Sequence, residues 1–289
     1  MTGPLDLTVV VPCRDVASTL PAQLDALVAQ EWDGGWEVVI VDNGSRDDTV
    51  VIADRYARDS HGRVRVVAAL DGTGVSYVRN AGVRASIAHA VVFCDGDDIV
   101  ERGWVAAMGD ALRDHELVTG TLDLTSLNPP GLARSRGHAS ADAVPHFGAV
   151  PFARGNNGGM QRTLFDTLGG YDESFLGLED IELSLRAAAL GATVTLVPAA
   201  RLRYRYRDGF GALWRQGLFY GGSLPELARR ARRLGLRPPD RFAGLRSWAW
   251  LVVHLPDTLT RDGRLAWTWV FANRIGVLRG ALQTRSLHV

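Results

Sequence analysis

Residues 7–197 alternate short apolar runs with stretches in which apolar side chains recur every three or four positions. Short apolar runs are typical of buried strands, and the wider spacing is typical of amphipathic helices. The pattern predicts strands at 7–11, 36–41, 63–69, 90–94, 116–125 and 193–197, helices at 16–30, 47–58, 75–89, 104–115, 162–168 and 179–190, and a short segment at 155–161. Because helices separate most of the strands, we expect an α/β fold with a mostly parallel sheet flanked by helices.

Two regions depart from this alternation. Residues 126–150 are rich in Pro, Gly, Ser and His, which indicates a functional loop rather than a simple connection. From residue 208 onward the chain is arginine-rich with helical spacing, so we expect a helical region at 208–289 after a first domain at 1–207. Apolar faces at 248–255 and 267–278 are too short or too interrupted to span a bilayer. They would pack against the first domain or lie at a membrane interface.

Charge is divided unevenly along the chain. All 32 basic residues are arginine, which excludes a lysine Schiff base and a P-loop lysine. Residues 1–199 carry 15 arginines and 27 acidic residues, whereas residues 200–289 carry 17 and 5. The basic end would suit an anionic membrane face or a phosphorylated acceptor, and pairing between the two ends is the alternative. The two cysteines, Cys13 and Cys94, each end an apolar run and are expected to be reduced and buried.

Three carboxylates, Asp95, Asp97 and Asp98, directly follow the predicted strand 90–94. Bunched anions repel one another unless a cation neutralises them, and oxygen ligands favour Mg²⁺ or Mn²⁺. Gly96 would let a diphosphate or a sugar approach the backbone closely. The alternative is a solvated loop in which Asp95 or Asp98 caps a helix.

Polar residues also follow the second strand and lie on the third predicted helix. Asp42 could accept a hydrogen bond from a base or a ribose, although an Asx-Gly turn at Asn43-Gly44 accounts for the same residues. Arg79 and Asn80 could reach a phosphate or a nucleobase. Ligands bind outside the carboxyl ends of strands in such sheets, which is where Asp42 is expected to lie.

A bend at Gly169-Gly170 precedes a helix that opens with Glu179 and Asp180. The helix dipole favours ionised carboxylates at this end, so Asp180 would be ready to take up a proton. The alternative is an acidic first turn that only stabilises the helix.

Six short motifs occur in a fixed order between residues 7 and 205: Val9-Val10-Val11-Pro12-Cys13, Val41-Asp42-Asn43-Gly44-Ser45, Arg79-Asn80-Ala81-Gly82, Asp95-Gly96-Asp97, Gly169-Gly170-Tyr171-Asp172-Glu173 and Glu179-Asp180. Together they resemble the family 2 glycosyltransferases, an inverting group with the GT-A fold. The resemblance implies a Rossmann-like, mostly parallel sheet flanked by helices, with the C-terminal helical region added to it.

The resemblance also implies residue roles. The nucleotide and donor pocket would be lined by Pro12, Cys13, Arg14, Asp42, Asn43, Arg79, Asn80, Asp95 and Gly96. Asp97 would ligate an Mg²⁺ or Mn²⁺ ion that bridges the donor diphosphate. Asp180 would remove the proton of the acceptor hydroxyl as its oxygen attacks the anomeric carbon from the opposite face, and Glu179 would support that geometry.

Two positions depart from the family's usual pattern. Many members carry a histidine near the metal or the diphosphate after the last strand, where this chain has Tyr204 among arginines. Those arginines would hold the diphosphate directly, or water would complete the metal shell. The usual second acidic residue after Asp42 is here Asn43, which leaves the identity of the base open.

We therefore expect a metal-dependent, inverting glycosyltransferase that moves a sugar from a nucleotide-diphosphate sugar to a hydroxyl acceptor in cell-envelope, polysaccharide or natural-product glycosylation. The alternatives are a sugar-phosphate nucleotidyltransferase and a noncatalytic nucleotide-sugar-binding protein. The acceptor would be a glycan, a lipid-linked compound or a small molecule, met by the loop at 126–150, and no nucleic acid is expected. The N-terminus lacks a signal-peptide pattern, so we expect a cytoplasmic protein. Its C-terminal region would either pack on the first domain or make peripheral contact with the inner face of the cell membrane.

Overall fold

The computed structural model describes residues 5–136, 141–240 and 242–284, which pack as two units. The first unit lies within Met1–Asp123, Ala141–Pro145 and Pro151–Tyr204, and the second lies within Leu124–Ser140, His146–Val150 and Arg205–Val289. Most of segment 126–150, which the sequence analysis placed in the first domain, therefore packs with the second unit.

Within the described residues, ten strands form two sheets. The strands are β1 (Leu7–Cys13), β2 (Trp36–Asp42), β3 (Val64–Ala68), β4 (Ala90–Phe93), β5 (Ile99–Val100), β6 (Leu117–Asp123), β7 (His146–Phe147), β8 (Val150–Pro151), β9 (Gly158–Gln161) and β10 (Val194–Arg203). Strands β7 and β8 pair with each other, and the other eight form one sheet in the order β3-β2-β1-β4-β9-β6-β10-β5. In this larger sheet β9 runs antiparallel to β4 and β6, and β5 is antiparallel to β10, while its other pairs are parallel. The expected mostly parallel sheet is confirmed.

Helices connect the strands and form the second unit. They are α1 (Leu20–Val28), α2 (Thr49–Asp59), α3 (Val75–Arg84), α4 (Trp104–Asp114), α5 (Pro130–Arg136), α6 (Arg162–Leu168), α7 (Glu179–Ala189), α8 (Phe210–Arg233), α9 (Ala243–Val253) and α10 (Arg261–Thr284), with a 3₁₀-helix at Pro256–Leu259. The segment 126–150, expected as a loop, thus contains a helix and two short strands.

Alternate side chains of the central strands enter two apolar layers on opposite faces of the sheet. Val9 and Val11 of β1 pack with Trp104 in one layer, and Val10 packs with Phe93 in the other. A strand that is buried on both faces has no polar alternation, which is why the sequence shows it as a continuous apolar run.

Two features of the sheet have no signal in the hydrophobic pattern. The segment at 155–161 contains β9, whose glycines have low strand propensity. A methyl group on Gly159 would lie 2.5 Å from Cγ1 of Val92, so the close approach of β9 to β4 requires glycine there. Strand β10 extends beyond the predicted residue 197 because a register shift between Val197 and Arg201 lets it pass Pro198.

Glycines also bring the helices of the second unit together. Gly221 in α8 faces the backbone of Asn273 in α10, and Gly276 faces Gly222, so the two helix backbones lie in direct contact. Leu132 of α5 packs with Leu213 and Leu265 in the small core of this unit. None of the helices in residues 5–136, 141–240 and 242–284 is long and apolar enough to cross a membrane.

The packing of α3 on the sheet gives a test of the fold. An alanine side chain at Gly82 would clash with Cγ1 of Val10 and lie 2.9 Å from Cγ2 of Val41. Alanine favours a helix by about 1 kcal/mol, but overpacking costs about 1–3 kcal/mol. We expect Gly82→Ala to lower the free energy of unfolding by up to about 2 kcal/mol in denaturant titrations. Adding Val10→Ala should cost less in this background than alone, and additive losses would contradict the clash.

Candidate active site

The three carboxylates that follow β4 form a cluster. One oxygen from each of Asp95, Asp97 and Asp98 lies within 4.8 Å of the others. Asp98 is buried, and its Oδ2 accepts a hydrogen bond of 2.8 Å from Nδ2 of Asn156. Carboxylate oxygens at this spacing fit the hard-ligand preference of a divalent cation. The structure thus places Asp98 beside Asp97, the residue for which the sequence predicted metal binding.

The loop that carries this cluster rests on the end of β1 and on α1. A methyl group on Gly96 would lie 3.0 Å from Sγ of Cys13 and 3.4 Å from Val16. Gln23 donates a hydrogen bond to the Asp95 carbonyl, and Thr19 donates one to the Gly96 carbonyl. Tight packing inside the protein therefore favours glycine at position 96, a different reason from the close ligand approach that the sequence suggested.

The two cysteines lie beneath this loop as buried, free thiols. Burial raises the pKa of Cys13, and the nearby carboxylates of Asp42, Asp95 and Asp97 raise it further. A thiol that resists ionisation in this way is a poor nucleophile. Cys13 therefore acts as a packing residue at the floor of the site.

Asp42, the last residue of β2, closes a local turn, whereas Asn43 bonds to the segment that follows β3. The Asp42 carboxylate accepts hydrogen bonds from the backbone N–H groups of Gly44 and Ser45 and from the Ser45 hydroxyl. Nδ2 of Asn43 donates to the carbonyls of Ala69 and Gly72. The turn that the sequence offered as an alternative is thus formed, and it holds Asp42 at the carboxyl end of β2. At the end of β1, Pro12 is half-buried and Arg14 is exposed.

Arg79 of α3 joins two carboxylates that are far apart in the sequence. Its Nη2 lies 3.2 Å from Oδ1 of Asp95, and its Nη1 lies 2.5 Å from Oε1 of Glu179. The side chain is only 3% exposed, and its guanidinium carbon lies 5.9 and 5.5 Å from the ring centroids of Phe93 and Tyr171. A buried guanidinium with two anionic partners and two aromatic faces is held in one position.

Asp180 lies next to this ion pair. Its Oδ2 accepts a hydrogen bond of 2.9 Å from the backbone N–H of Gly155, and a methyl group on Gly155 would lie 2.9 Å from Nη1 of Arg79 and 3.1 Å from Cβ of Asp180. Burial raises the pKa of Asp180 to about 6, the charge of Glu179 adds to this, and the Gly155 N–H opposes it. Burial likewise raises the pKa of Asp95 to about 6, against the effect of Arg79.

The residue before α7 has an unusual backbone conformation. Leu178 has φ 63° and ψ 34°, in the left-handed region. A non-glycine residue there costs of order 1 kcal/mol or more and is often found where a functional side chain must be aimed. At this position the strained residue directs the first turn of α7, which carries Glu179 and Asp180, toward Arg79.

Asn80, the neighbour of Arg79, holds the loop that leads to α7. Its Nδ2 donates to the Tyr171 carbonyl and to Oε1 of Glu173, and its Oδ1 accepts from the Tyr171 N–H. From the other side, Arg186 of α7 donates to the carbonyls of Leu168 and Gly170. The structure therefore places the Asn80 amide in this loop, whereas the sequence suggested contact with a nucleotide.

The segment before β9 also belongs to the site, although no motif in the sequence indicates it. Gly155 contacts Asp180, and Asn156 contacts Asp98, so adjacent residues touch both acidic groups. Arg154 is buried and donates to the carbonyls of Gly120 and Ala143. Burial lowers the pKa of Arg154 to about 10, and the charge of Asp180 opposes this. The polar pair Asn156-Asn157 at the start of an apolar strand was the one available signal.

The ion pairs of Arg79 can be tested by removing its charge. In Arg79→Met, Asp95 and Glu179 lose their shared cation, so we expect the free energy of unfolding at neutral pH to fall by about 3 kcal/mol in denaturant titrations. Combining it with Glu179→Gln should recover part of the loss, since one uncompensated carboxylate is then removed. Arg84→Met on the same helix, where Arg84 and Glu173 are both exposed, is the control and should change stability by less than about 0.5 kcal/mol. Equal losses in the two single variants would contradict the bridging role.

Comparisons with solved structures agree on the fold. A mannosyltransferase, PcManGT from Pyrobaculum calidifontis, solved with GDP-Man and Mn²⁺, superposes with a TM-score of 0.71 at 19% identity and covers 98% of this chain and 88% of its own. TarS residues 1–349 from S. aureus, solved with UDP-GlcNAc, gives a TM-score of 0.58 at 13% identity, covering 97% of this chain and 92% of its own. These likenesses support the GT-A fold.

Sequence comparisons agree on the family. The chain is 26% identical to a pre-mycofactocin glycosyltransferase of Mycobacterium tuberculosis over 98% of this chain and spans 60% of that relative's length. It is 29% identical to a PGL/p-HBAD biosynthesis glycosyltransferase of Mycobacterium bovis over 68% of this chain and 74% of the relative. Residues 8–176 match the family described as glycosyl transferase family 2, which covers more than half of the sequence. The chain therefore belongs to glycosyl transferase family 2, as its motifs indicated.

Proposed function

We propose that this protein is a metal-dependent, inverting glycosyltransferase that moves a sugar from a nucleotide-diphosphate sugar to a hydroxyl acceptor. The observation that carries the proposal is the convergence of two acidic groups on Arg79. Asp95, Asp97 and Asp98 approach from the end of β4, and Glu179 and Asp180 approach from the start of α7. Such a site can bind a cation and its anionic ligand on one side while it offers a base on the other.

The donor would lie along the carboxyl ends of β1, β2 and β4. Pro12, Arg14 and Asp42 stand at the ends of β1 and β2, where the nucleoside would bind. Cys13, Asn43, Asn80 and Gly96 would support this pocket from beneath, because their side chains or backbones are engaged within the protein. An Mg²⁺ or Mn²⁺ ion held by Asp97, with Asp98 beside it, would offset the charge of the departing diphosphate.

Asp180 would act as the general base. A base works best when its pKa is near the working pH, and burial brings that of Asp180 to about 6. Glu179 and the Gly155 N–H would aim its carboxylate at the acceptor hydroxyl. Attack on the face opposite the diphosphate would invert the anomeric configuration.

The class of donor is inferred from the solved neighbours, and the class of acceptor from the family resemblance. PcManGT was solved with GDP-Man and Mn²⁺, and TarS with UDP-GlcNAc, so we infer a nucleotide-sugar donor and a divalent cation for this chain. The acceptor would be a hydroxyl compound in cell-envelope, polysaccharide or natural-product glycosylation. Ala143, from the segment predicted as the acceptor loop, receives a hydrogen bond from Arg154 close to the base.

We also place the enzyme at the inner face of the cell membrane, with peripheral contact through its second unit. The support is charge, because that unit carries 17 arginines against 5 acidic residues. A basic surface is attracted to anionic lipids.

A ligand screen tests the donor and the metal. We expect one of UDP, GDP and dTDP to raise the melting temperature by roughly 5 °C when it is present at about 100 times its Kd, because a ligand that binds only the folded state stabilises it by mass action. The shift should require Mn²⁺ or Mg²⁺. Asp97→Asn should abolish the metal-dependent part while keeping the melting temperature of the free protein within a few degrees. Indifference to all three nucleotides with either ion would contradict the proposal.

Removing the base tests the chemistry. Asp180→Asn should lower kcat for sugar transfer by at least about 100-fold, because a general base contributes at least that much. Nucleotide binding should be unchanged. In the unsubstituted protein, kcat/KM should fall as the pH drops below about 6, where Asp180 becomes protonated.

Stability measurements distinguish loss of the general base from unfolding of the Asp180→Asn variant. Because the pKa of Asp180 is raised in the folded state, ionisation of Asp180 lowers stability as the pH rises from about 4 through about 6. Asp180→Asn removes this dependence, so it should be at least as stable as the unsubstituted protein at neutral pH. A variant that transfers sugar at the unsubstituted rate would refute the assignment of Asp180, whereas a noncatalytic binding protein would show no turnover in either form.

A further inference from the structure

The outward face of α9 is apolar, the reverse of an ordinary surface helix. Val252 is 75% exposed and Val253 is 71% exposed. Leu245 and Ala249 lie on the same side of the helix, as does Phe242 at its N-cap, and they are also exposed; Arg246, paired with Asp240, is the charged residue on this side. Surface helices normally bury such a face and present polar residues to water.

The apolar surface continues beyond the helix. Leu255 is 55% exposed, and Leu259 at the end of the 3₁₀-helix is 86% exposed. From 242 to 259 the chain has one arginine, Arg246, and one carboxylate, Asp257. Contiguous apolar surface of this kind marks a site that binds another molecule or a membrane.

Two half-buried tryptophans border the exposed face. Trp248 and Trp250 lie on opposite sides of it by helical spacing. Trp248 packs edge-on against Phe271 of α10, and Trp250 stacks on His254, so both rings are held at the margins of the face. Tryptophan at the rim of an apolar surface is typical of a segment that lies at the interface between lipid and water.

The opposite side of α9 packs against α10 in the same unit. Leu251 is buried, and Nε1 of Trp267 in α10 donates a hydrogen bond of 2.9 Å to the Leu251 carbonyl. Trp267 stacks on Phe271 with ring centroids 4.8 Å apart. The helix is therefore fixed by its inner side while its outer side is uncovered within the described residues.

The charge of the second unit distinguishes lipid from a second copy of the chain. With 17 arginines against 5 acidic residues, two such units would repel each other. An anionic bilayer surface would instead attract the basic unit, and the bilayer would also take up the exposed valines and leucines. An amphipathic helix needs these two contributions together for stable interfacial binding.

We propose that α9 and the following 3₁₀-helix enter the headgroup region of an anionic bilayer through Phe242, Leu245, Val252, Val253, Leu255 and Leu259. This proposal rests on the proposed membrane location of the glycosyltransferase and specifies apolar insertion as the means of attachment. Helix α9 would lie parallel to the membrane plane, with Trp248 and Trp250 at the level of the headgroups. Attachment would hold the enzyme at a surface where lipid-linked hydroxyl acceptors are concentrated.

Vesicle flotation of the full chain tests the proposal. We expect the protein to float with phosphatidylcholine vesicles that contain phosphatidylglycerol, and less with phosphatidylcholine alone. Val252→Glu/Val253→Glu should lower the partition coefficient by at least about tenfold, because two apolar side chains that enter the bilayer become charged. Val51→Glu/Ile87→Glu is the matched control, since it adds the same charge at two exposed apolar positions of the first unit and should lower binding far less.

Four results would overturn the proposal. Binding that survives Val252→Glu/Val253→Glu would show that arginines alone attach the protein. Equal loss in the control would show that added negative charge, and not insertion, weakens binding. Absence of binding to either vesicle would also exclude it, and light scattering that shows a dimer broken by Val252→Glu/Val253→Glu would assign the face to a second copy. The nucleotide thermal shift, measured in the same proteins, reports separately on the proposed function.

Discussion

The candidate site depends on the buried guanidinium of Arg79. It bonds Asp95 from the end of β4 and Glu179 from the start of α7, two residues that lie 84 positions apart. Without this cation, carboxylates from both sources would repel one another in a place where burial already raises the pKa of Asp95 and of Asp180 to about 6. The same charge also lies beside Gly155, which bonds Asp180. One arginine therefore lets acidic residues from the end of β4 and from the start of α7 lie close together.

The rest of the scaffold holds the two partners of Arg79 in place. Because Gly96 has no side chain, the loop that carries Asp95, Asp97 and Asp98 packs closely against Cys13. Asn80 fixes the loop before α7 through its bonds to Tyr171, and Leu178 accepts a left-handed conformation at the start of that helix. These residues would affect catalysis through position rather than through contact with a substrate.

The sequence predicts much of the architecture and the types of residue in the site. Apolar runs such as that of β4 are visible because these strands are buried on both faces, and the order of motifs identifies the family. It does not predict β9, because Gly158 and Gly159 have low strand propensity and are present where neighbouring atoms leave no room for a side chain. It also misses the contact of Asn156 with Asp98, because a long-range hydrogen bond leaves no periodic signal. The sequence also does not show that Arg79 pairs with carboxylates while its neighbour Asn80 holds the loop before α7. Only the three-dimensional structure shows this difference.

A crystal structure with Mn²⁺ and a nucleoside diphosphate would test the central claim most directly. Anomalous scattering would locate the ion independently of the protein density. We predict that the ion lies on the carboxylate of Asp97, that Arg79 still joins Asp95 to Glu179, and that Asp180 faces the open side of the diphosphate. An ion bound away from the cluster, or an Asp180 side chain directed out of the cleft, would contradict it.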